Sequence, residues 1–194
     1  GRYIQDDTAG IYLNLSTNIP PLLAGQRVEV VGVTSPGEYA PTIDPAQVRI
    51  LGAAPLPEPK PVTFQHLASG REDSQFVEIS GIVRSVELDE PTGYYLIEIA
   101  TGGGRLLVYA RQLPVRSVAD LVDSTVRVRG VCSTLFNHQR QLFAVRLLVP
   151  RPEDLVIEIP ASGEPFSTDT QPIISLLQFT SQGTYGHRVK VAGT

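Results

Sequence analysis

The chain has 194 residues, with 16 basic against 20 acidic side chains and a formal net charge of −4, a balance that gives a polyanion no whole-molecule attraction and disfavours nucleic acid as a partner. Hydrophobic residues make up 42% and charged residues 19%, a globular composition, and no apolar run approaches the ~20 residues of a membrane helix. Cys132 is the only cysteine, which excludes an internal disulfide and a paired-cysteine zinc or redox site.

In chain order, β-branched and apolar residues alternate with polar ones over 3–5, 11–14, 27–33 and 46–51, and these segments read as strands. The first two are joined by Asp6-Asp7-Thr8-Ala9-Gly10, good turn chemistry because short polar side chains cap the backbone and glycine accepts positive φ. Residues 1–60 form a first unit. A linker over 61–75 follows the proline-rich run 55–61, and its segment 62–69 reads as a short amphipathic helix.

Residues 76–150 hold a complete unit of five strands, over 76–86, 94–100, 105–111, 125–132 and 141–149. Thr101-Gly102-Gly103-Gly104 closes a hairpin between strands two and three. Val115, Val118 and Leu121 keep helical spacing behind Pro114, which predicts a short helix before strand four. A second linker over 151–186 carries Leu155-Val156-Ile157-Glu158-Ile159, read as an extra strand, and a short helix near 174–181. Residues 187–194 read as the first strand of a following unit.

These segments repeat out of phase. Val77-Glu78-Ile79-Ser80-Gly81 recurs as Val189-Lys190-Val191-Ala192-Gly193, and the approach segments 62–69 and 174–181 share the same offset of 112 residues. Residues 27–33 reappear as 125–131. Repeats of this kind set the fold. With no methionine present, the sequence reads as a piece of a longer chain, cut so that the first unit lacks its first strand and the last strand lacks its unit.

Three strands, a short helix and two more strands, with Gly81 and Gly130 where strands must bend sharply, is the order of an OB-fold barrel. The fold class expected is therefore all-β: tandem OB-fold five-stranded barrels with short helices in the linkers. The first barrel, short of a strand, exposes unpaired backbone, and the tail strand 188–192 is expected to complete it within the chain or by exchange in a strand-swapped homodimer.

Tyr3 to Leu13, Gly25 to Thr34, Ser69 to Val86 and Arg129 to Leu142 together resemble the OB-fold repeats found outside the membrane in bacterial two-component sensor histidine kinases. The resemblance covers nearly the whole chain. It implies an extracytoplasmic, periplasmic sensory or spacer region, whose only link to a membrane lies in parts of the parent outside this sequence. It supplies fold and context, and no assigned ligand residues.

No catalytic or metal constellation is legible, so the reading is a non-enzymatic chain without cofactor. His66, His138 and His187 share no ligand spacing, Gly102-Gly103-Gly104 lacks the Gly-Lys-Ser/Thr of a phosphate loop, and Cys132 has no neighbouring histidine. The candidate ligand face is the one OB barrels use, on strands two and three and rimmed by the loops between one and two and between four and five. It gathers Tyr94, Tyr95, Arg105, Tyr109, Arg111, Phe136, Asn137, His138 and Arg140, whose rings and guanidinium groups suit a sugar, a nucleotide or an acidic peptide. The partners expected are a small ligand or protein and neighbouring repeats. Arg127 is replaced by Glu29 in the first unit, so no basic stripe runs through both barrels, as continuous single-strand binding would want. A nucleic-acid or oligosaccharide module and a structural interaction array are the alternatives.

Overall fold

A computed structural model describes residues 2–15, 19, 21–37, 40–137, 139, 141–161, 163–164, 166–177 and 188–194. The alternation read from the sequence becomes two sheets, and the protein is all-β with two short helices among the described residues. The first sheet contains β1 (Tyr3–Gln5), β2 (Gly10–Leu15), β3 (Gln26–Val31), β4 (Thr34–Ser35) and β5 (Thr42–Ala53). Its path is β1-β2-β5-β3, with β4 on β5; β2 and β5 run parallel and the other pairs antiparallel. The β1–β2 turn is built by Asp6, whose Oδ1 accepts the Thr8 N–H at 2.8 Å, the Thr8 hydroxyl at 2.6 Å and the Ala9 N–H at 3.0 Å.

The connecting arm adds β6 (Lys60–Pro61) and α1 (Phe64–Ala68), capped by the Thr63 side chain. Then come β7 (Phe76–Asp89), β8 (Tyr94–Thr101), β9 (Gly104–Ala110), β10 (Thr125–Phe136) and β11 (Leu142–Val149). Here β7 pairs with both β8 and β10, β10 with β11, β11 in parallel with β9, and β9 with β8. The five strands close a ring. A ring has no free edge, which removes the row of unpaired N–H and C=O groups that an open sheet presents.

Closure requires backbones to approach where strands bend, and the two expected glycines are there. A Cβ on Gly81 would lie 2.7 Å from the Ala100 carbonyl oxygen, and one on Gly130 would lie 3.0 Å from that of Leu148. Inside the ring, Val77, Val83, Ile97, Ile99, Leu106 and Leu147 are fully buried. Leu67 of α1 and Leu121 join the same cluster. The helix expected around Val115–Leu121 is only a 3₁₀ turn, Val118–Asp120. The chain leaves helical geometry at Asp123, whose φ of 74° is left-handed and whose N–H bonds to the Val83 carbonyl at 2.9 Å, so too few residues remain for a second helical turn.

Beyond the ring, β12 (Leu155–Ile159) lies on the Thr125–Val128 stretch of β10, the part of that edge β11 does not reach, and α2 (Ile173–Leu176) follows. Of the two placements expected for the tail, the one within the chain is not adopted. Lys190 bridges Thr170, the Gln171 N–H donates to the Lys190 carbonyl at 2.8 Å, and Arg188 Nε meets Asp123 Oδ2 at 2.7 Å. These contacts tie Arg188 and Lys190 to the second unit and the linker after it, so the tail does not complete the first sheet within the chain. Among the described residues, no strand lies between β1 and β3.

Candidate functional site

Of the nine residues expected on one face, the seven described divide between surface, core and loop. Tyr94 opens β8 with its ring outward and meets Tyr109 of β9 edge-on, with centroids 6.1 Å apart at 67°. The Arg111 guanidinium lies 4.3 Å from the Tyr94 ring centroid, and that of Arg146, on β11, lies 5.0 Å from the Tyr109 centroid. Arg-Tyr-Tyr-Arg is thus a continuous strip across three strands, each cation over the negative face of a ring. Contacts of this kind contribute about 0.5–2 kcal/mol each, enough to fix rotamers before a ligand arrives.

The strip continues into the first unit. Arg146 Nε donates to Ser133 Oγ at 3.4 Å, and the same oxygen accepts the Tyr3 hydroxyl at 3.0 Å. Tyr3 in turn meets Tyr12 edge-on at 5.3 Å and 69°. Burial pushes the Tyr3 phenol above its ordinary pKa, partly offset by the Ser133 bond. Two further contacts hold the units together at this end. Gln5 Oε1 accepts the Phe76 N–H at 2.7 Å, and Gly10 packs on the backbone of Ser74, where a Cβ would come 1.9 Å from the carbonyl oxygen.

The remaining described residues of the set are elsewhere. Tyr95 follows the strand alternation inward and packs against the ring core, so two consecutive tyrosines on β8 cannot share one face. Arg105 faces outward at the start of β9, where it pairs with Glu98 at 3.0 Å and borders an open hollow of about 400 Å³ with Phe64 and Phe143. Phe136 ends β10. Asn137 shapes the following loop: its Oδ1 accepts the N–H groups of Gln139 and Gln141, each at 2.9 Å, and its side-chain amide donates to Gln141 Oε1. His138, Arg140 and His187 lie outside the described residues.

Charge distinguishes the strip from the rest of the barrel. Arg127 and Arg129 are neutralised by Glu78, with Glu158 also on Arg127, and Arg105 by Glu98. Arg111 and Arg146 pair with no carboxylate among the described residues. Their N–H groups therefore remain available to an acidic group. Cys132 is buried, and burial pushes its thiol up to about 12, which keeps it protonated at neutral pH. Among the described residues, no three His, Cys, Asp or Glu side chains converge as metal ligands, and no helix is long and apolar enough to cross a membrane.

Compared with known protein families, the sequence matches none, and it matches no curated protein.

Proposed function

We propose that the chain is a tandem of OB-type units from the extracytoplasmic sensory region of a bacterial sensor histidine kinase, and that it binds an acidic ligand without chemistry of its own. The ring order β7-β8-β9-β11-β10, with β9 and β11 parallel, supports the OB reading, and the first sheet repeats it without the first strand. The compartment and the kinase context rest on the resemblance in sequence. The observation carrying the binding role is the Arg111-Tyr94-Tyr109-Arg146 strip. It offers two guanidinium groups with no carboxylate partner, spaced by two rings on rigid strands, so a carboxylate can take the forked N–H donors while its carbon frame lies across the tyrosines.

The test is titration of the chain, by NMR and calorimetry, with a short oligouronide, an oligoglutamate peptide and single-stranded oligothymidine. Saturable binding of either acid that moves the Tyr94 and Tyr109 signals, weakened about tenfold or more in Arg111→Ala and Arg146→Ala, supports the reading. Salt-dependent binding of the oligothymidine alone, lost in Arg105→Ala and Tyr109→Ala, replaces it with nucleic-acid recognition. Binding that leaves the strip signals unmoved contradicts the assigned face.

A further inference from the structure

The outer edge of β3 and the tail at 188–194 are complementary in pattern, register and charge. In the ring, β10 receives β7 antiparallel, with Val128 opposite Ile79, Arg129 opposite Glu78 and Gly130 opposite Val77. The repeat places Val30, Val31 and Gly32 of the first unit where Val128, Arg129 and Gly130 stand, and Val191, Lys190 and Val189 where Ile79, Glu78 and Val77 stand. One of the two charge pairs across this junction is inverted in both members. Glu78 holds Arg127 and Arg129 in the ring. In the first unit Val31 stands for Arg129, the residue directly opposite Glu78, and Glu29 stands for Arg127, its diagonal neighbour; in the tail Lys190 replaces Glu78, so an acid and a base would meet across the diagonal. A single reversal would oppose like charges, whereas the double reversal keeps the attraction.

Both surfaces are unfinished in the single chain. Among the described residues β3 is hydrogen-bonded on one side only, to β5, and its inward Val28 and Val30 are only half-buried where their counterparts Val126 and Val128 are fully buried. Val191, the counterpart of the buried Ile79, is 43% exposed. Among the described residues the tail is held by the Thr170–Lys190 bridge, the Lys190 contacts to Gln171 and Phe166 and the Arg188–Asp123 ion pair.

We propose that residues 188–194 of one copy add as an antiparallel strand to β3 of a second copy, with Val189 opposite Gly32, Val191 opposite Val30 and Gly193 opposite Val28. Val189 and Val191 then face the interior of the first sheet, and Lys190 reaches Glu29 alongside Arg49, which already pairs with it. The junction joins copies head to tail, closing as a reciprocal dimer or extending as a chain. It does not depend on Arg111, Tyr94, Tyr109 and Arg146, which lie on the other unit.

The test is mass by light scattering and sedimentation over a concentration series of the whole 194-residue chain. Association that Val191→Pro weakens more than a hundredfold is expected, since proline removes a ladder donor from a strand paired along β3. Lys190→Glu is expected to weaken it about three- to tenfold, and Glu29→Lys added to Lys190→Glu to restore it. Val191 and Lys190 lie outside the ring core, so an unchanged far-ultraviolet spectrum checks that each variant still folds. A monomer at every concentration overturns the proposal, as does association indifferent to Val191→Pro or a charge reversal that the second reversal fails to rescue.

Discussion

In the second unit β7 lies between β8 and β10, and the strands around it bury Val77, Ile79, Val83, Val126 and Val128 within one apolar cluster. In the first unit β1, β2, β5 and β3 follow the path of β8, β9, β11 and β10, including the parallel pair, yet among the described residues only Leu13 and Ala46 are buried apolar side chains. One strand accounts for the contrast. It supplies an inward row of side chains and also pairs two edges at once, so its absence removes burial and hydrogen bonds together. The first sheet keeps its order partly by leaning on the ring, through Gln5–Phe76, Tyr3–Ser133 and Gly10–Ser74.

The largest effect that sharpens this contrast is core truncation. Leu106→Ala, inside the ring, is expected to lower the stability of the second unit by about 3–5 kcal/mol, because a closed barrel relaxes little around a cavity. Val30→Ala, half-buried in β3, is expected to cost about 1 kcal/mol or less. Denaturant melts of the two variants check the pair, and equal losses would show that both units are packed alike. Next is Gly10→Val, which forces a side chain against the Ser74 carbonyl. It is expected to cost about 1–3 kcal/mol and to loosen β1 and β2 while the ring melts as before, as hydrogen exchange would show.

The ring was legible in advance because its hairpin glycines, its strand alternation and the bend glycines Gly81 and Gly130 all act locally. The short helix before β10 was over-read because Val115, Val118 and Leu121 repeat at helical spacing, while the early bond from Asp123 to Val83 depends on a strand forty residues back. For the binding strip, Tyr94, Tyr109 and Arg111 were within reach. Alternation alone should have separated Tyr95 from Tyr94. Arg146 could have been found, since an OB-type order puts strand five beside strand three, and Arg146 points outward next to buried Leu147. Tyr3 and Ser133 meet only across the seam between units, where neither spacing nor alternation gives a signal.

A smaller effect concerns Asp73, whose Oδ1 accepts the Thr134 N–H at 3.0 Å and also the Thr134 hydroxyl, tying the loop before β7 to β10. Asp73→Ala is expected to cost about 1–2 kcal/mol, visible in the same melts. The smallest effect is local to the first unit. Hydrogen bonds from Thr8 and Ala9 hold the Asp6 carboxyl down to about 2, below its ordinary value near 3.8. A depressed carboxylate contributes above its unfolded pKa and loses that contribution as pH falls through the folded one. Thr8 and Ala9 amide signals should therefore stay fixed down to about pH 4 and shift near pH 2, with ring signals unmoved.

Residue-resolved hydrogen exchange on the Val191→Pro chain compares the closed and open sheets most directly, since that variant leaves β3 without an added strand. Amides of β7 to β11 are expected to exchange only through global unfolding, and those of β1, β2, β3 and β5 through local opening, orders of magnitude faster. Equal protection in the two sheets would contradict the distinction between a closed ring and an open copy of it.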